Sequence, residues 1–394
     1  MTKIMDAVME HAGRAMLAMG KPDAVAATVV TWNAGWAAGG AEVTVTWPFV
    51  PYAKIPERLD LAPEVWRQFD AKGMSWVAEE KVHGAHLVLV TNGHEVRAAK
   101  RGGYLEPGES FFGCGRLVAS LYDATLKAHH DLARHGEFVA VHGELFGGRY
   151  PHQDVQAAPG VEPVQTGVWY APDLHFLAFD MALWNFEGGQ SVRWADLWQD
   201  KYCETVFPGL SEYGFFTAPP LAVGTFDEVS KTKIDFETRI PALLGLPPIK
   251  GNKAEGVVLR PCRGVMVNGV RVRPLLKHKT KEFSEDTRYD ESRVYAAPAN
   301  ATPLEVLMGA VDDLVTEARI SSAISKLGRP LPHDGLAMDR TVFAVVDDVL
   351  ASFDSHPNDH ARLRSLGPVD WSALRSRIWS SAEIMLGLCL ETAR

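Results

Sequence analysis

The chain has 394 residues, a formal net charge of −9 at pH 7, and 46% hydrophobic and 23% charged residues. This composition is typical of a globular protein of two or three domains and excludes a collagen-like, coiled-coil or disordered chain. No run of 18 apolar residues occurs, so we expect no membrane-spanning helix, and Asp6, Glu10 and Arg14 interrupt the apolar start, which argues against a signal peptide. The four cysteines lack CxxC spacing, so we expect reduced thiols in a cytoplasmic protein.

The predicted elements, taken in chain order, divide the chain into four zones. In residues 1–40 the apolar side chains between Ile4 and Met19 recur at helical spacing and predict an amphipathic helix. Residues 43–112 predict strands and turns, with a β-hairpin at Asn92-Gly93 between two apolar runs, and in residues 113–285 helix-like and strand-like segments alternate. From residue 286 to 394 strand signals fade and helical patterns follow one another. Predicted helices are 114–135, 303–319, 340–352 and 371–391, and predicted strands are 137–145, 174–183, 254–260 and 270–279. The pattern predicts an α+β core followed by a helical domain.

Positive charge is concentrated in one stretch of this acidic chain. Between Lys250 and Lys281 there are nine basic residues and a single acid, Glu255. Such a local basic stripe predicts a phosphate site, and the alternative is a solvated strand face. The basic residues are Lys250, Lys253, Arg260, Arg263, Arg271, Arg273, Lys277, Lys279 and Lys281.

A lysine next to a glycine turn stands at the end of a predicted strand, in the segment WVAEEKVHG that contains Lys81. Burial and neighbouring cations lower the pKa of a lysine and free its amine as a nucleophile. The alternative is an ordinary surface lysine before a turn.

Two further segments carry groups that suit a nucleotide. Lys100 and Arg101 precede two glycines, which favours approach by a phosphate or a sugar, although a solvated loop would have the same composition. Glu144 lies among glycines after an apolar strand, where its carboxylate can accept hydrogen bonds from ribose hydroxyls or hold a hydrated metal ion.

Three more segments complete the set. In FLAFD, Phe176 or Phe179 can stack on a purine base, whereas a core strand is the alternative. Glu255 can coordinate Mg²⁺, and Lys277 and Lys279, two apart in a strand, leave the same face and favour an anion between them. Together the segments suit attack by an amine on the α-phosphate of a nucleotide.

The order and wording of these segments resemble the RNA ligase 2 family, which includes phage RNA-repair and kinetoplastid RNA-editing ligases within the covalent nucleotidyltransferase superfamily. The resemblance covers about residues 47–285. It rests on EKVHG, in which His83 stands where DNA ligases and capping enzymes usually have Asp, and on Lys100-Arg101 followed by Phe111-Phe112. It implies an α+β nucleotidyltransferase (ATP-grasp-like ligase) domain of antiparallel sheets at 47–285, a helical C-terminal domain at 286–394, and an N-terminal extension at 1–46.

The resemblance also implies roles for individual residues. Lys81 would form a lysyl-AMP, Glu80 would lie beside the adenine, and His83 would act after adenylylation. Arg260 stands where we expect lysine in a close relative. The other implied roles are ribose binding by Arg101 and Glu144, adenine stacking by Phe179 (or Phe176), metal binding by Glu255 and Glu144, a grip on the α-phosphate by Lys277 and Lys279, and a role at RNA ends for Lys100, Phe111, Phe112 and Arg260.

The resemblance implies an ATP-dependent RNA ligase that seals 3′-OH and 5′-phosphate ends with ATP and Mg²⁺ (or Mn²⁺). Its expected partners are RNA ends, preferably nicks in duplex RNA or RNA/DNA hybrids, and we expect a monomer. One alternative is a DNA ligase or another covalent nucleotidyltransferase such as a capping enzyme, against which His83 argues. The other is a non-catalytic nucleic-acid binding protein on a ligase fold, which would not need Lys81, Glu255, Lys277 and Lys279 together.

Overall fold

The structure is a computed structural model that describes residues 47–392. Residues 60, 72, 108, 166, 187–190, 198–208, 268–269, 281–282, 284–300 and 332 are excepted. The helix predicted within 1–46, together with Lys281 and the beginning of the predicted C-terminal part, lies outside the described residues.

A four-stranded antiparallel sheet carries the lysine segment. Its strand order is β12-β9-β1-β8, and its inner strands are β1 (Trp76–Lys81) and β9 (Gly256–Pro261). The outer strands are β8 (Ala222–Gly224) and β12 (Leu276–Lys279). Helix α1 (Pro63–Ala71) contributes to the apolar cluster that covers one face of this sheet. The sheet therefore places Lys81, in β1, next to the strand that begins directly after Glu255, β9.

A six-stranded antiparallel sheet, of order β4-β3-β2-β5-β6-β7, forms the second layer. The predicted hairpin is confirmed, since β2 pairs with β3 and Asn92 Oδ1 accepts hydrogen bonds from the backbone N–H groups of His94 and Glu95. Its strands are β2 (Ala85–Thr91), β3 (Val96–Lys100), β4 (Gly103–Tyr104), β5 (Glu137–Arg149), β6 (Ala171–Asn185) and β7 (Ser191–Trp194). Alternating residues of β2, β5 and β6 face a core covered by two helices, α2 (Gly115–Ser120) and α3 (Tyr122–Leu132).

Helices form the C-terminal domain, as predicted, around a separate apolar core that includes Leu307, Val346, Phe353 and Ile378. The helices are α6 (Pro303–Leu314), α7 (Glu317–Leu327), α8 (Gly335–Ser355), α9 (Pro357–Ser365) and α10 (Pro368–Thr392). Capping explains the first boundaries, because the side chain of Thr302 accepts from the N–H of Glu305 in a capping box with proline at the helix start.

Three predicted elements differ from the structure. The predicted helix 114–135 is divided at Leu121 into α2 and α3, and the predicted helix 303–319 ends at Leu314 before α7 begins. The predicted strand 270–279 is broken between β11 (Val270–Val272) and β12, where Pro274 provides no backbone N–H for a ladder. The remaining short elements are a 3₁₀ helix (Ser211–Tyr213), α4 (Phe226–Val229), α5 (Ile240–Leu243), β10 (Val265–Val267) and β11 (Val270–Val272).

One cysteine contradicts the expectation of reduced thiols. Cys262 is disulfide-bonded, whereas Cys114 and Cys389 carry thiols whose pKa burial raises to about 11. The disulfide at Cys262 therefore removes the cysteine-based argument for a cytoplasmic protein. Within the part of the chain that the structure describes, every helix is too short or too polar to cross a bilayer.

Candidate active site

Strand pairing brings Lys81, Glu255 and Lys279 together from distant parts of the chain. Lys81 ends β1 opposite Gly256, and Lys279 ends β12 opposite the same glycine. Lys81 Nζ lies 2.6 Å from Glu255 Oε2, and Lys279 Nζ lies 3.2 Å from Glu255 Oε1. Although burial opposes ionisation, the two ammonium groups and His83 hold the pKa of the Glu255 carboxyl well below its usual range.

Gly256 allows these strands to approach so closely. Its φ is +154°, and a Cβ at this position would lie 2.0 Å from the backbone oxygen of His278. A larger residue would therefore push β9 and β12 apart at the point where Glu255 meets Lys279.

The turn after Lys81 is anchored to the second sheet. The N–H of His83 donates to Tyr170 Oη at 2.9 Å, and His83 Nδ1 lies 3.5 Å from Glu255 Oε2. A Cβ on Gly84 would lie 2.1 Å from the backbone oxygen of Leu145, so this turn also needs a glycine. His83 thus lies beside the same Glu255 carboxylate that contacts Lys81.

Glu80 borders the cavity and is held by hydrogen bonds. Its carboxylate accepts hydrogen bonds from Thr238 Oγ1 and, at 3.0 Å, from the backbone N–H of Arg239. Burial raises the pKa of Glu80, and these donors oppose the rise. Glu80 therefore fastens the segment before α5 to β1.

Glu144 and Arg101 lie on the opposite wall, where β5 and the β3–β4 turn border the cleft. Burial raises the pKa of Glu144 to about 7, with Lys81 lowering it and Glu255 raising it further. The structure brings both predicted ribose ligands into the same cleft as Lys81.

A β-bulge decides which phenylalanine faces the cavity. In the pairing of β5 with β6, His142 is opposite Asp180 but Gly143 is opposite Ala178, so Phe179 is the extra residue. Phe179 lines the cavity, whereas Phe176 is 2% exposed and packs in the core.

Two connected hollows meet at Lys81. The first is a largely apolar slot that opens to solvent. The second is a more polar cleft, one wall of which is helix α7. Five residues line both, namely Tyr52, Ile55, Lys81, Glu144 and Phe179. Lys277 and Lys279 line the cleft, and Lys277 Nζ also lies 3.7 Å from Glu57 Oε1.

The structure does not bring the predicted RNA-end residues to the cleft. Lys100 forms an ion pair with Glu109, and Phe111 is 1% exposed in the core of the second sheet. Phe112 packs between that core and the core of the helical domain. The burial of Phe111 and the ion pair of Lys100 with Glu109 do not favour direct contact with RNA, and the role of these residues at RNA ends stays a prediction.

Arg260 also differs from its predicted place at an RNA end. It is 3% exposed at the inner end of the slot, where Nε donates to Glu79 Oε2 at 2.5 Å and Nη2 donates to the backbone oxygen of Phe179 at 2.6 Å. Burial opposes the charge, but Glu79 and Asp180 keep the pKa of Arg260 above its usual range. Arg260 holds the slot together from inside the protein.

Three residues that the sequence did not assign to the site form a hydrogen-bond network, of which Tyr52 lines the slot. Tyr52 Oη donates to Asp180 Oδ2 at 2.8 Å, and Arg273 donates to both oxygens of Asp180 at 2.9 and 2.6 Å. The Tyr52 ring contacts Phe179 at 5.7 Å between centroids. Asp180 closes the FLAFD segment and Arg273 belongs to the basic stripe, whereas Tyr52 stands in a loop without a recognisable pattern.

Comparison with known proteins assigns this geometry to a family. A family model described as RNA ligase matches residues 74–279, just over half of the chain. RNA-editing ligase 1 of Trypanosoma brucei brucei, described as mitochondrial, is 31% identical over 361 residues, which cover 77% of this chain and 75% of that protein.

The chain belongs to the RNA ligase family.

This RNA ligase is thus an enzyme that joins RNA ends, of the RNA ligase 2 family within the nucleotidyltransferase superfamily. RNA-editing ligase 2 of Trypanosoma brucei brucei is 30% identical over 330 residues, which cover 72% of this chain and 78% of that protein. Among solved structures, a Naegleria gruberi RNA ligase mutant with AMP and Mn has a TM-score of 0.34 and 13% identity, over 56% of this chain and 53% of that one.

Proposed function

We propose that this RNA ligase is ATP-dependent and works through a lysyl-AMP on Lys81. The observation that carries the proposal is the position of Lys81 Nζ, where an apolar slot opens into a cleft lined by cations. An adenine suits the slot because its lining is mainly apolar, and a triphosphate suits the cleft because Lys81, Lys277 and Lys279 line it.

In the first step Lys81 Nζ attacks the α-phosphorus of ATP. A P–N bond forms, the bond from that phosphorus to the bridging oxygen breaks, and pyrophosphate leaves. The amine attacks in its neutral form, so the Lys81 ammonium first releases one proton to solvent as its contact with Glu255 opens. The nitrogen releases a second proton to solvent once the P–N bond has formed. Lys277 and Lys279 offer positive charge to the phosphate oxygens as negative charge develops.

Side chains around the slot supply the other nucleotide contacts. Phe179 stacks on the adenine. Its position in the bulge supports this role, and the burial of Phe176 argues against the alternative that Phe176 stacks instead. Arg101 and Glu144 bind the ribose, because both line the cleft beside Lys81. In later steps AMP passes to the RNA 5′-phosphate, and the 3′-OH displaces it to form the phosphodiester bond.

The carboxylates fit a divalent metal ion. Glu144 and Glu255 line the same cleft, and a divalent cation beside them would favour the ionised form of both carboxyl groups. Among the described residues no group of three or more acidic, His or Cys side chains forms a complete metal site. Glu144 and Glu255 would therefore hold Mg²⁺ or Mn²⁺ together with phosphate oxygens and water, and the ion would offset phosphate charge.

The RNA substrate of this proposal is a nicked duplex, of RNA or of RNA and DNA. Helix α7 supports it, because residues of this helix form a wall of the cleft and would meet a strand held at Lys81. A monomeric state and a cytoplasmic location stay predictions.

Labelling with α-³²P-ATP and a divalent metal tests the first step. After removal of any bound AMP with pyrophosphate, we expect a labelled protein band on denaturing electrophoresis that is stable to boiling in base. The band is absent in Lys81→Ala and in Lys81→Arg, and present in Lys54→Ala, a lysine that also lines the cleft. A band of equal strength in Lys81→Arg contradicts the proposal.

Nicked duplexes test the substrate. Substrates with RNA or DNA on the 3′-OH side distinguish an RNA ligase from a DNA ligase, and GTP in place of ATP tests capping chemistry. Sealing of all-DNA nicks alone contradicts the RNA proposal. Nucleic-acid binding without labelling of Lys81 would indicate a non-catalytic binding protein instead.

A further inference from the structure

A pair of histidines stands next to the proposed ribose site. His86 lines the cleft from β2 and lies opposite Glu144 in the strand register, so the two side chains leave the same face. His142 lies behind it, 1% exposed. The nucleotide contacts described so far use neither residue.

The ring of His86 is fixed on several sides. Its plane is within 8° of the His142 plane, with 5.4 Å between centroids, and His142 Nδ1 lies 3.3 Å from His86 Nε2. The same ring lies 5.8 Å from Phe179 at 25° and 5.3 Å from Tyr52. His86 is therefore held in one orientation beside the residue proposed to stack on adenine.

The two rings share one proton between facing nitrogens, and burial decides where it resides. The Nε2 atom of His142 is buried and has no hydrogen-bond partner among the described residues. A buried N–H without an acceptor is rarer than an unused acceptor, so the tautomer assigned to His142 carries its proton on Nδ1 and donates it to His86 Nε2. A hydrogen bond between the two facing nitrogens needs an unprotonated acceptor, so His86 Nε2 carries no proton.

This assignment leaves the proton of His86 on Nδ1. The hydrogen bonds found for His86 within the described part of the chain use only Nε2, so Nδ1–H remains a donor. Arg101 is close enough to affect the charge of His86, and Glu144 lies opposite it, so this donor stands among the residues proposed to bind the ribose.

We propose that His86 positions the nucleotide by donating a hydrogen bond from Nδ1 to a sugar hydroxyl oxygen, and that His142 is a positioning residue that fixes the tautomer. This inference rests on the proposed function. A sugar without that hydroxyl leaves the donor unpaired in a partly buried site, and the enzyme discriminates against it.

The experiment compares ATP with 2′-deoxyATP and 3′-deoxyATP in the labelling of Lys81, measured as kcat/KM. The wild type is expected to use one of the two analogues about tenfold less well than ATP, as the loss of one hydrogen bond requires. His86→Leu reduces that ratio to about one. His86→Asn retains an N–H donor and keeps most of the discrimination, and His130→Leu, an exposed histidine, behaves as wild type.

His142→Phe tests the second half of the proposal. Introduced into the wild type, this substitution reduces the ratio of kcat/KM for ATP to kcat/KM for the deoxy analogue. Introduced into His86→Leu, it leaves that ratio unchanged, because the effect passes through His86. A purely structural role would lower kcat/KM for all three nucleotides equally. An unchanged ratio in His86→Leu, a wild type without discrimination, or a His86→Asn variant that loses it would each overturn the inference. Labelling of Lys81 in the wild type keeps the proposed function intact in all of these cases.

Discussion

The buried carboxyl of Glu144 should make the stability of the fold depend on pH in a way that one substitution removes. Burial raises its pKa from 4.5 to about 7. In the metal-free and nucleotide-free protein, the folded state therefore holds a proton on Glu144 that the unfolded chain releases above about pH 4.5. Glu144→Gln keeps a neutral side chain of the same shape and cannot ionise.

The sign and size of the effect follow from linkage. A raised pKa in the folded state gives stability that is complete below pH 4.5 and is lost as the pH rises through 7. The difference between the two pKa values corresponds to about 3 kcal/mol at about 1.4 kcal/mol per pH unit. Most of this change, about 2 to 3 kcal/mol, lies between pH 5 and pH 8. Glu144→Gln should accordingly gain about 2 to 3 kcal/mol relative to the wild type over this range.

Urea unfolding in EDTA at pH 5, 6, 7 and 8, followed by tryptophan fluorescence, measures this gain. Glu106→Gln, which changes an exposed carboxylate, serves as the control and should differ from the wild type by a constant amount. Glu144→Gln should also label Lys81 poorly, because an uncharged amide replaces the carboxylate proposed to bind the ribose and the metal ion. If the free-energy difference between Glu144→Gln and the wild type varies by less than about 0.5 kcal/mol across these pH values, the burial argument fails.

Three further substitutions test the packing around the site and the helical domain. Gly256→Ala should reduce labelling of Lys81 at least tenfold, because the new Cβ would lie 2.0 Å from a backbone oxygen of β12. The melting temperature should fall by only a few degrees. Labelling equal to that of the wild type would refute this prediction. Arg273→Met should cost about 3 kcal/mol in urea unfolding, since it leaves the buried Asp180 without its two-point partner, and a double change with Asp180→Asn should recover part of the loss. Arg319→Met should destabilise the helical domain by about 3 kcal/mol, because Arg319 is 2% exposed and donates to Asp348 Oδ2 at 2.5 Å. Limited proteolysis within residues 303–392 would reveal the loss, and an unchanged cleavage rate there would count against it.

The main components of the site could be predicted because each segment carries its own chemistry. Lys81 and Glu255 stood out as a lysine before a glycine turn and as the sole acid in a basic stripe, and Lys277 and Lys279 stood out by their spacing. The antiparallel core, the hairpin and the helical domain followed from local patterns of turn residues and periodicity.

Other parts depended on contacts that no local pattern encodes. Strict alternation could not choose between Phe176 and Phe179, because the bulge at Phe179 changes which face the side chains of β6 occupy. A charged residue in a basic stripe is expected to be exposed. Arg260 is instead buried and forms an ion pair with Glu79, which precedes it by 181 positions. Tyr52 has no signal at all until Asp180 is placed beside it.

The ion pair between Lys81 and Glu255 joins positions 174 residues apart. Contacts of such wide separation form late, after the intervening chain has closed its loop, and they make folding slow. A partly folded chain should therefore be unable to take up AMP. The time course of labelling after dilution from urea would then report the rate at which the domain completes its folding.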